Sequence, residues 1–364
     1  MPNTSQTIAI DAMSGDGGAA VSVDAVALFL KKQPNTQLAL VGNTAELQKH
    51  INALPAAKKK LVSNCTIIDA TEVVEMEDST REALRNKKDS SMRVSINSVK
   101  SGQAGACVSA GNTGALLAIS KFVLKTLPGI ARPAICTTLP TIAGHTHMLD
   151  LGANVDCTSE HLFQFAVMGA ELAAAVDSNP SPSVGLLNIG SEDVKGNDQV
   201  KDAAQLLEQL KDQVNFNYVG FVEGDQIYTG DCNVIVCDGF VGNVSLKSVE
   251  GVARMIRHFM REEFLASPFS KLAGLMARPV LKSFSRRIDP RRYNGASLLG
   301  LQGVVIKSHG GADALAFSNA IDIARLEIEK NVPARIGEQI ASQLHRASND
   351  DSADKQPEQA ARMP

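Results

Sequence analysis

Glycine, asparagine and aspartate residues cluster directly after the apolar runs of this sequence, where they could bind an anion. The most informative stretch is 106–114, in which an apolar run ends at Ser109 and Gly111 opens a turn before a helical pattern begins near Asn112. This order predicts a strand, a glycine turn and a helix N-terminus. Backbone N–H groups and the positive end of a helix dipole favour phosphate or a similar anion there. An ordinary strand-to-helix turn is the alternative, and only recurrence of the pattern weighs against it.

Comparable segments follow other predicted strands, at 11–18, 150–156, 188–197, 238–243 and 307–311. Ligands of open α/β sheets bind beyond the carboxyl ends of the strands, so the recurrence predicts one shared small-molecule site at that end of the sheet. Turn formation alone is the competing interpretation of these residue types. The candidate substrate-binding and phosphate-binding residues are Asp11, Gly15, Asp16, Ser109, Gly111, Asn112, Thr113, Gly114, Asp150, Asn154, Asn188, Gly190, Asp238, Gly239, Lys307, Ser308 and His309.

Apolar runs of strand length alternate with helical patterns along most of the chain. Runs such as 234–237 are apolar on successive residues, which is typical of strands buried on both faces of a largely parallel sheet. The alternation predicts a three-layer α/β/α fold in a single domain over residues 6–345. Residues 348–364 are polar and are predicted to form a disordered tail.

The composition argues against a nucleic-acid partner and against a nucleotide cofactor. The net charge is −3 and aromatic residues make up 4% of the chain, so neither a basic field nor a stacking platform is indicated. No segment has the glycine fingerprint of dinucleotide sites or the Gly-Lys-Ser/Thr ending of a phosphate loop. No cofactor is therefore predicted.

The cysteine and histidine residues give no sign of a metal site. The 6 cysteines form no C-x-x-C pair, and they are predicted to be free thiols in a reducing cytoplasm. His145 and His147 fall between two predicted strands and are predicted to lie in a loop. No apolar run is long enough to span a bilayer, which also predicts a cytoplasmic protein.

Two basic segments stand apart from the strand ends. Residues 81–93 are basic and rich in hydroxyl groups, so they form either a solvated helix surface or a grip for phosphate or an acidic partner. Residues 255–292 alternate apolar and basic blocks. That composition predicts an amphipathic helical hairpin that lies on an anionic bilayer, holds an acyl chain or packs at a subunit interface.

The sequence resembles the bacterial phosphate acyltransferase family of phospholipid synthesis from Ile8 to about Ile328. One departure is Ser14, which precedes Gly15 and Asp16 where the family usually has a second glycine. The blocks that carry the resemblance occur in the family's order at 87–93, 108–114, 148–156, 185–196, 238–243 and 300–310.

The resemblance implies an enzyme that converts acyl–acyl carrier protein and inorganic phosphate to acyl phosphate and free carrier protein, the first step of phosphatidic acid synthesis. It also implies a fold related to isocitrate and isopropylmalate dehydrogenases and to phosphotransacetylase. A homodimer, attachment to the inner face of the cytoplasmic membrane and delivery of the product to a glycerol-3-phosphate acyltransferase are further expectations.

In that reaction phosphate itself is the nucleophile, so preorganised donors suffice as catalysts. Lys195 is expected to hold phosphate and Asn243 to donate to the thioester oxygen. The residues expected to dock acyl carrier protein are Lys87, Lys88, Arg93, Arg286 and Arg287. Those expected to contact the membrane or the acyl chain are Phe264, Leu265, Phe269, Leu272, Leu275 and Met276.

Three alternative functions remain open from the sequence. A phosphotransacylase that uses coenzyme A thioesters shares the chemistry, although the basic apolar segment 255–292 favours long acyl chains on a carrier protein. A nicotinamide-linked oxidoreductase shares the architecture but needs an adenine-binding signature that is not found. A non-catalytic membrane scaffold for lipid-synthesis enzymes needs no polar constellation at the strand ends.

Overall fold

A mixed sheet of eleven strands forms the centre of the molecule, in the order β3-β2-β1-β4-β11-β10-β5-β6-β9-β7-β8. The structure is a computed structural model that describes residues 6–287 and 289–353. The strands are β1 (Ile8–Asp11), β2 (Leu38–Gly42), β3 (Thr66–Asp69), β4 (Ala106–Ser109), β5 (Ala134–Thr141), β6 (Gly144–Leu149), β7 (Ser183–Leu187), β8 (Asn217–Val222), β9 (Val234–Val236), β10 (Ala296–Leu299) and β11 (Val304–Lys307).

The sheet consists of two parallel halves that run in opposite directions. Strands β3, β2, β1, β4 and β11 are mutually parallel, and so are β6, β9, β7 and β8. Between them β10 pairs antiparallel with both β11 and β5, and β5 pairs antiparallel with β6. The strands of the first half therefore have their carboxyl ends at one end of the sheet along the strand direction, and those of the second half at the opposite end.

Helices cover both faces of the sheet, which confirms the predicted three-layer α/β/α fold. The helices are α1 (Gly18–Lys32), α2 (Thr44–Ala53), α3 (Ala56–Val62), α4 (Thr80–Arg85), α5 (Ser91–Lys100), α6 (Thr113–Leu124), α7 (Ser159–Val176), α8 (Asp198–Gln209), α9 (Gly239–Leu265), α10 (Pro268–Arg287), α11 (Ala314–Glu329) and α12 (Val332–Ala353). Residues 348–353 of the predicted tail are the end of α12, and 354–364 lie outside the described residues.

The two faces of the sheet are packed separately. In β1, Ile8 and Ile10 face α1 and α11, while Ala9 packs on the opposite face, and all three are fully buried. This burial on both sides explains the continuous apolar runs in the sequence. On the second half of the sheet, α7, α8 and α12 pack on one face, and β5, β6 and β9 share a core with α5 and α6 on the other.

Side-chain caps start the helices that follow the functional segments. Asn112 accepts a hydrogen bond from the backbone N–H of Ala115 at the start of α6, and Asn197 caps α8 in the same way. Asp238 caps α9 through the N–H of Val241. Each cap satisfies one N–H that the first helical turn leaves open, so these residue types fix where the helix begins.

Candidate active site

The predicted binding segments form two groups. This corrects the expectation that all of them lie at the same end of the sheet. The first group, here called the amide cradle, comprises 11–18, 109–114 and 307–311 after β1, β4 and β11. The second, here called the crevice, comprises 150–156, 188–197 and 238–243 after β6, β7 and β9. The physical reason is the antiparallel insertion of β10 and the β5–β6 hairpin, which reverses the strand direction in mid-sheet.

Asp11 lies at the bottom of the amide cradle and is fully buried. Its Oδ2 accepts hydrogen bonds from the hydroxyls of Ser14 at 2.5 Å and Ser109 at 2.6 Å, while Oδ1 has no partner. Burial raises the pKa of Asp11, and the serine hydroxyls oppose that shift. Ser109 also accepts a hydrogen bond from the N–H of Gly111, so its hydroxyl joins the loop after β1 to the turn after β4.

Two glycines allow the loops of the amide cradle to approach closely. Gly15 has a φ of +83°, and a Cβ at that position would lie 2.8 Å from the Cβ of Ala110. A Cβ at Gly111 would lie 2.5 Å from the Cε of Met92 and 3.0 Å from the hydroxyl of Ser14. A larger residue at either position would push the β1 loop away from the β4 turn.

The N-terminus of α6 opens into the amide cradle. Thr113 and Gly114 are exposed and form the first turn, whose backbone N–H groups lack intrahelical partners. The side-chain amide of Asn112 donates to the carbonyl oxygen of Met76 at 2.8 Å, which holds a further loop beside this turn. The arrangement provides backbone donors and the positive end of a helix dipole for an anion.

Lys307 supplies a cation beside those donors. Its Nζ donates to the carbonyl oxygens of Ala110 and Ser308. Burial lowers the pKa of Lys307 to about 8, with Asp11 and Asp16 opposing that change and Lys247 adding to it. A lysine with this pKa carries a charge at neutral pH and loses it in mildly alkaline solution.

Ser308 and His309 lie next to Lys307 and serve the shape of the loop. The buried hydroxyl of Ser308 accepts from the side-chain amide of Asn294 at 2.8 Å, and the Nδ1 of His309 accepts the N–H of Gly311 at 3.1 Å. His309 is exposed.

In the crevice, Asp150 organises the loop after β6. Its carboxylate accepts from the backbone N–H groups of Ile135 at 2.9 Å, Ala153 at 3.1 Å and Asn154 at 2.6 Å, and from the Asn154 side chain at 3.0 Å. Burial raises the pKa of Asp150, and these donors oppose it. Because all the bonds run to its own loop and to β5, Asp150 and Asn154 shape the crevice instead of pointing into it.

The N-terminus of α9 packs against that loop. A Cβ at Gly239 would lie 2.6 Å from the carbonyl oxygen of Asn154, and one at Gly242 would lie 2.0 Å from that of Asp150. The side-chain amide of Asn243 donates to the carbonyl oxygen of Leu151 at 3.1 Å. The glycines of 238–243 are thus explained by this close packing. Asn243 remains partly exposed at the rim of the crevice.

The loop after β7 carries Lys195. The buried side chain of Asn188 donates to the carbonyl oxygens of Gly190 and Lys195 at 3.2 Å each, which closes the loop into a compact turn. Lys195 itself is exposed. Next to it, Asn197 and Asp238 help to line a cavity of about 230 Å³ with Val155–Cys157.

Helix α9 connects the amide cradle with the crevice. Asn243 and Lys247 are four residues apart on α9, so their side chains lie on one face about 6 Å apart at Cβ. Asn243 contacts the crevice, whereas the charge of Lys247 is close enough to Lys307 to lower the pKa of that lysine. Lys247 was not among the predicted site residues, and its spacing from Asn243 on a helix was the available signal.

The predicted docking residues have different environments. Lys87 forms an ion pair with Asp78 at 2.5 Å and donates to the carbonyl oxygen of Val73, so its charge is already compensated. Lys88 is exposed, and the guanidinium of Arg93 stacks over the ring of Phe122 at 5.2 Å. Arg286 and Arg287 end α10, and their side chains lie outside the described residues.

The segment 255–292, predicted as a helical hairpin, contains the C-terminal part of α9, which begins at Gly239, and all of α10, which ends at Arg287; the two helices are here called the helical hairpin. Phe264 is partly buried, and a Cβ at Gly274 would lie 2.9 Å from its ring, so Phe264 joins the two helices. The other predicted membrane or acyl residues are more than half exposed: Leu265 53%, Phe269 80%, Leu272 55%, Leu275 62% and Met276 76%. None of the described helices is long and apolar enough to cross a membrane.

The sheet and its two loop groups define a three-layer α/β protein with the phosphotransacetylase fold. A phosphotransacetylase from Streptococcus pyogenes superposes with a TM-score of 0.59 at 18% identity, covering 89% of this chain and 94% of its own. A branched-chain phosphotransacylase from Enterococcus faecalis gives a TM-score of 0.56 at 13% identity, with coverages of 89% and 99%.

The chain belongs to the fatty acid synthesis protein family, whose family model matches residues 6–335. It is similar to the phosphate acyltransferase of Methylococcus capsulatus, with 58% identity over 334 residues, 92% of this chain and 96% of the relative. The phosphate acyltransferase of Nitrosococcus oceani is 57% identical over 333 residues, 91% of this chain and 96% of the relative.

Proposed function

We propose that this chain is a phosphate acyltransferase that transfers the acyl group of acyl–acyl carrier protein to inorganic phosphate. The observation that carries the proposal is the amide cradle, in which the open N-terminus of α6 lies next to Lys307, whose Nζ is 3.4 Å from the carbonyl oxygen of Ala110, two residues before the α6 cap Asn112. Family membership and relatives named phosphate acyltransferase at 57–58% identity over nine-tenths of the chain support it.

In this reaction a phosphate oxygen attacks the carbonyl carbon of the thioester. A C–O bond forms, the carbonyl electrons move to oxygen, and the tetrahedral intermediate collapses with cleavage of the C–S bond. The sulfur leaves as thiolate with a pKa of about 8.5, if it behaves like a free thiol, so little acid assistance is needed. Catalysis then consists of holding phosphate against the thioester carbon and stabilising the developing oxyanion with fixed donors.

The amide cradle is the proposed seat of phosphate. The N–H groups of Thr113 and Gly114 donate to it, Lys307 offsets its charge, and Lys247 faces it from α9. Asn243, one turn away on α9, donates to the thioester oxygen, and Lys195 contacts the substrate from the crevice. Asp11, Ser109, Asp150 and Asn188 act by positioning these loops, since their polar atoms bond mainly within them.

The helical hairpin is the proposed site of acyl-chain and membrane contact. Its exposed apolar side chains would bury their surface in the headgroup region, and α10 contains basic residues but no acidic ones, which favours an anionic bilayer. We place the protein at the inner face of the cytoplasmic membrane as a homodimer. There it would pass acyl phosphate to a glycerol-3-phosphate acyltransferase. Lys88 and Arg93, with the ion-paired Lys87, form the part of the proposed docking surface for the acidic carrier protein whose side chains are described.

The test is an assay with defined thioesters. Purified protein is incubated with palmitoyl–acyl carrier protein and phosphate, and acyl phosphate is trapped with hydroxylamine as the hydroxamate. Hydroxamate formation that requires both phosphate and protein supports the proposal. A protein that turns over palmitoyl-coenzyme A but not the carrier-protein thioester is a phosphotransacylase of the other substrate class, and absence of product with both thioesters refutes the proposed reaction.

A further inference from the structure

Two histidines and an aspartate meet at the start of β6, away from both loop groups. His145 and His147 alternate along β6 and therefore project from the same face of the strand. Asp177 caps the C-terminus of α7, which packs on that face. The prediction that both histidines lie in a loop is wrong, because β6 begins at Gly144 and includes both of them.

The three side chains converge closely. The Nε2 of His145 lies 2.9 Å from Oδ1 of Asp177, and the Nε2 of His147 lies 2.8 Å from Oδ2. All three potential ligand atoms lie within 4.8 Å of one another, the only such group of three among residues 6–287 and 289–353 for which side chains are described. Sequence spacing could not reveal the cluster, because Asp177 lies 30 residues after His147.

We propose that His145, His147 and Asp177 form a binding site for a divalent transition-metal ion, with zinc as the best match. Two imidazole nitrogens and one carboxylate oxygen are a ligand set that zinc accepts, with bonds of about 2.0–2.2 Å and water at the fourth position. Ligand atoms around such an ion lie about 3.3 Å apart, which follows from a tetrahedron with those bond lengths. The observed nitrogen–oxygen separations are close to that spacing, so small rotations of the rings suffice.

The surroundings of the cluster favour an ion. The Nδ1 of His147 lies 3.2 Å from the hydroxyl of Thr138, which can accept the ring N–H and so present Nε2 as a ligand. The carbonyl end of the 18-residue α7 lies beside Asp177, and a cation there is favoured by the helix dipole. The side chain of His147 is 4% exposed and that of His145 is 40% exposed, so the site has a rigid inner ligand and an opening for water.

The site is separate from the crevice at the other end of β6, and also from the amide cradle, because β6 lies three strands away from β11 in the sheet, roughly 14 Å at about 4.8 Å per strand. Asp150, in the crevice, follows His145 by five residues along an extended strand, a distance of about 16 Å at roughly 3.3 Å per residue. An ion at the other end of β6 would join β6 to α7. Its expected effect is therefore on stability, with no direct part in catalysis.

The test is zinc binding by the full-length protein after treatment with a chelator. Equilibrium dialysis should find one zinc per chain, and the melting temperature should rise with zinc concentration, since the ion binds the folded state. His145→Ala and Asp177→Asn should abolish both effects, and Thr138→Val should weaken affinity by about 10–100-fold. Asp177→Asn keeps the side-chain shape and His145 is exposed, so these two variants should fold. A substitution of the buried His147 is expected to impair folding.

His258→Ala is the matched control. His258 lies 3.4 Å from Glu262 on α9, a histidine–carboxylate pair without a third ligand, and its removal should leave zinc stoichiometry unchanged. Cobalt substitution provides a second readout, because ligation by imidazole and carboxylate gives a visible absorption band that should be lost in Asp177→Asn. Failure of the unmodified protein to bind zinc stoichiometrically, or equal binding by Asp177→Asn, overturns the proposal.

Discussion

The pKa of Lys307 predicts how the rate depends on pH. With a pKa of about 8, the ammonium form of Lys307 is the major species at pH 7 and the minor species at pH 9. The charged fraction falls from about 0.9 to about 0.1 between those values, since each pH unit beyond the pKa changes the ratio tenfold. If the ammonium group holds phosphate, kcat/KM for phosphate should fall about tenfold over this interval.

Phosphate itself cannot produce this fall in kcat/KM at high pH, here called the alkaline limb of the pH profile. Its second ionisation lies near neutral pH, so the dianion fraction rises between pH 7 and pH 9 and opposes the fall; kcat/KM is therefore expressed per phosphate dianion. Lys307→Arg keeps a charge at all accessible pH values and should move the limb above pH 9.5. Lys307→Gln should lower kcat/KM at pH 7 by about 10–100-fold and abolish the limb, since a hydrogen bond to a charged group contributes about 1.5–3 kcal/mol.

Lys247→Gln separates this explanation from a general effect of alkali. Lys247 lowers the pKa of Lys307 through charge repulsion, so its removal should shift the limb to higher pH without abolishing it. The assay is the initial rate of hydroxamate-trapped product at subsaturating phosphate, corrected for thioester hydrolysis without protein. A limb in Lys307→Gln at the same pH as in the unmodified protein refutes the assignment of the charge to Lys307.

Three further predictions concern stability, membrane contact and the crevice. Burial raises the pKa of Glu327 from 4.5 to about 7, so its destabilising effect on the fold grows as the pH rises from 4.5 to about 7 and is constant above that. Glu327→Gln should therefore stabilise the protein by about 3 kcal/mol at pH 8, from 1.36 kcal/mol per pKa unit, and by less than about 1 kcal/mol at pH 5, measured by urea unfolding. Aspartate at both Leu275 and Met276 should release the protein from vesicles of anionic lipid, measured by sedimentation. Lys195→Ala should lower kcat/KM at least tenfold in the hydroxamate assay, whereas Lys201→Ala should not.

Each of these predictions has a control elsewhere in the chain. Glu329, exposed on the same helix and paired with Arg325 at 2.6 Å, should change stability by less than about 0.5 kcal/mol when replaced by glutamine. Ile142 is 91% exposed outside the hairpin, and Ile142→Asp should leave sedimentation with vesicles unchanged. Equal stability of Glu327→Gln and the parent at pH 8, full vesicle binding by the double aspartate variant, or unchanged turnover of Lys195→Ala would each contradict the corresponding inference.

The layers of the fold were predictable from the sequence, but the direction of the strands was not. Strands such as β1 are buried on both faces, and that burial produces the continuous apolar runs that predicted them. Strand β10 (Ala296–Leu299) has four residues and follows a basic segment, and no local pattern distinguished it from a turn. Its antiparallel pairing with β11 and β5 reverses the sheet, and such pairing depends on contacts between residues far apart in sequence.

The candidate site was predictable as a set of segments, and less so as a set of roles. Asp11 and Ser109 were selected because carboxylate and hydroxyl groups at strand ends bind ligands, yet their side chains bond to each other. Carboxylate and hydroxyl side chains serve both to bind ligands and to hold loops in place, and only the three-dimensional arrangement shows which of the two a given residue does. Lys307 was predicted as a member of the binding segment 307–311, and its lowered pKa depends on burial that no sequence pattern records.

Helix α9 explains how a sheet with two oppositely directed halves can serve a single reaction. With 27 residues it is about 40 Å long, and it begins at the crevice with Asp238 as its cap. Asn243 and Lys247 lie on one face of its first turns, and its distal part carries apolar residues into the exposed hairpin. Because one continuous helix holds all of these groups, the position of the hairpin and the positions of Asn243 and Lys247 are mechanically coupled. Contact of the hairpin with a membrane would therefore act on the same helix that brings Asn243 to the crevice and Lys247 near Lys307.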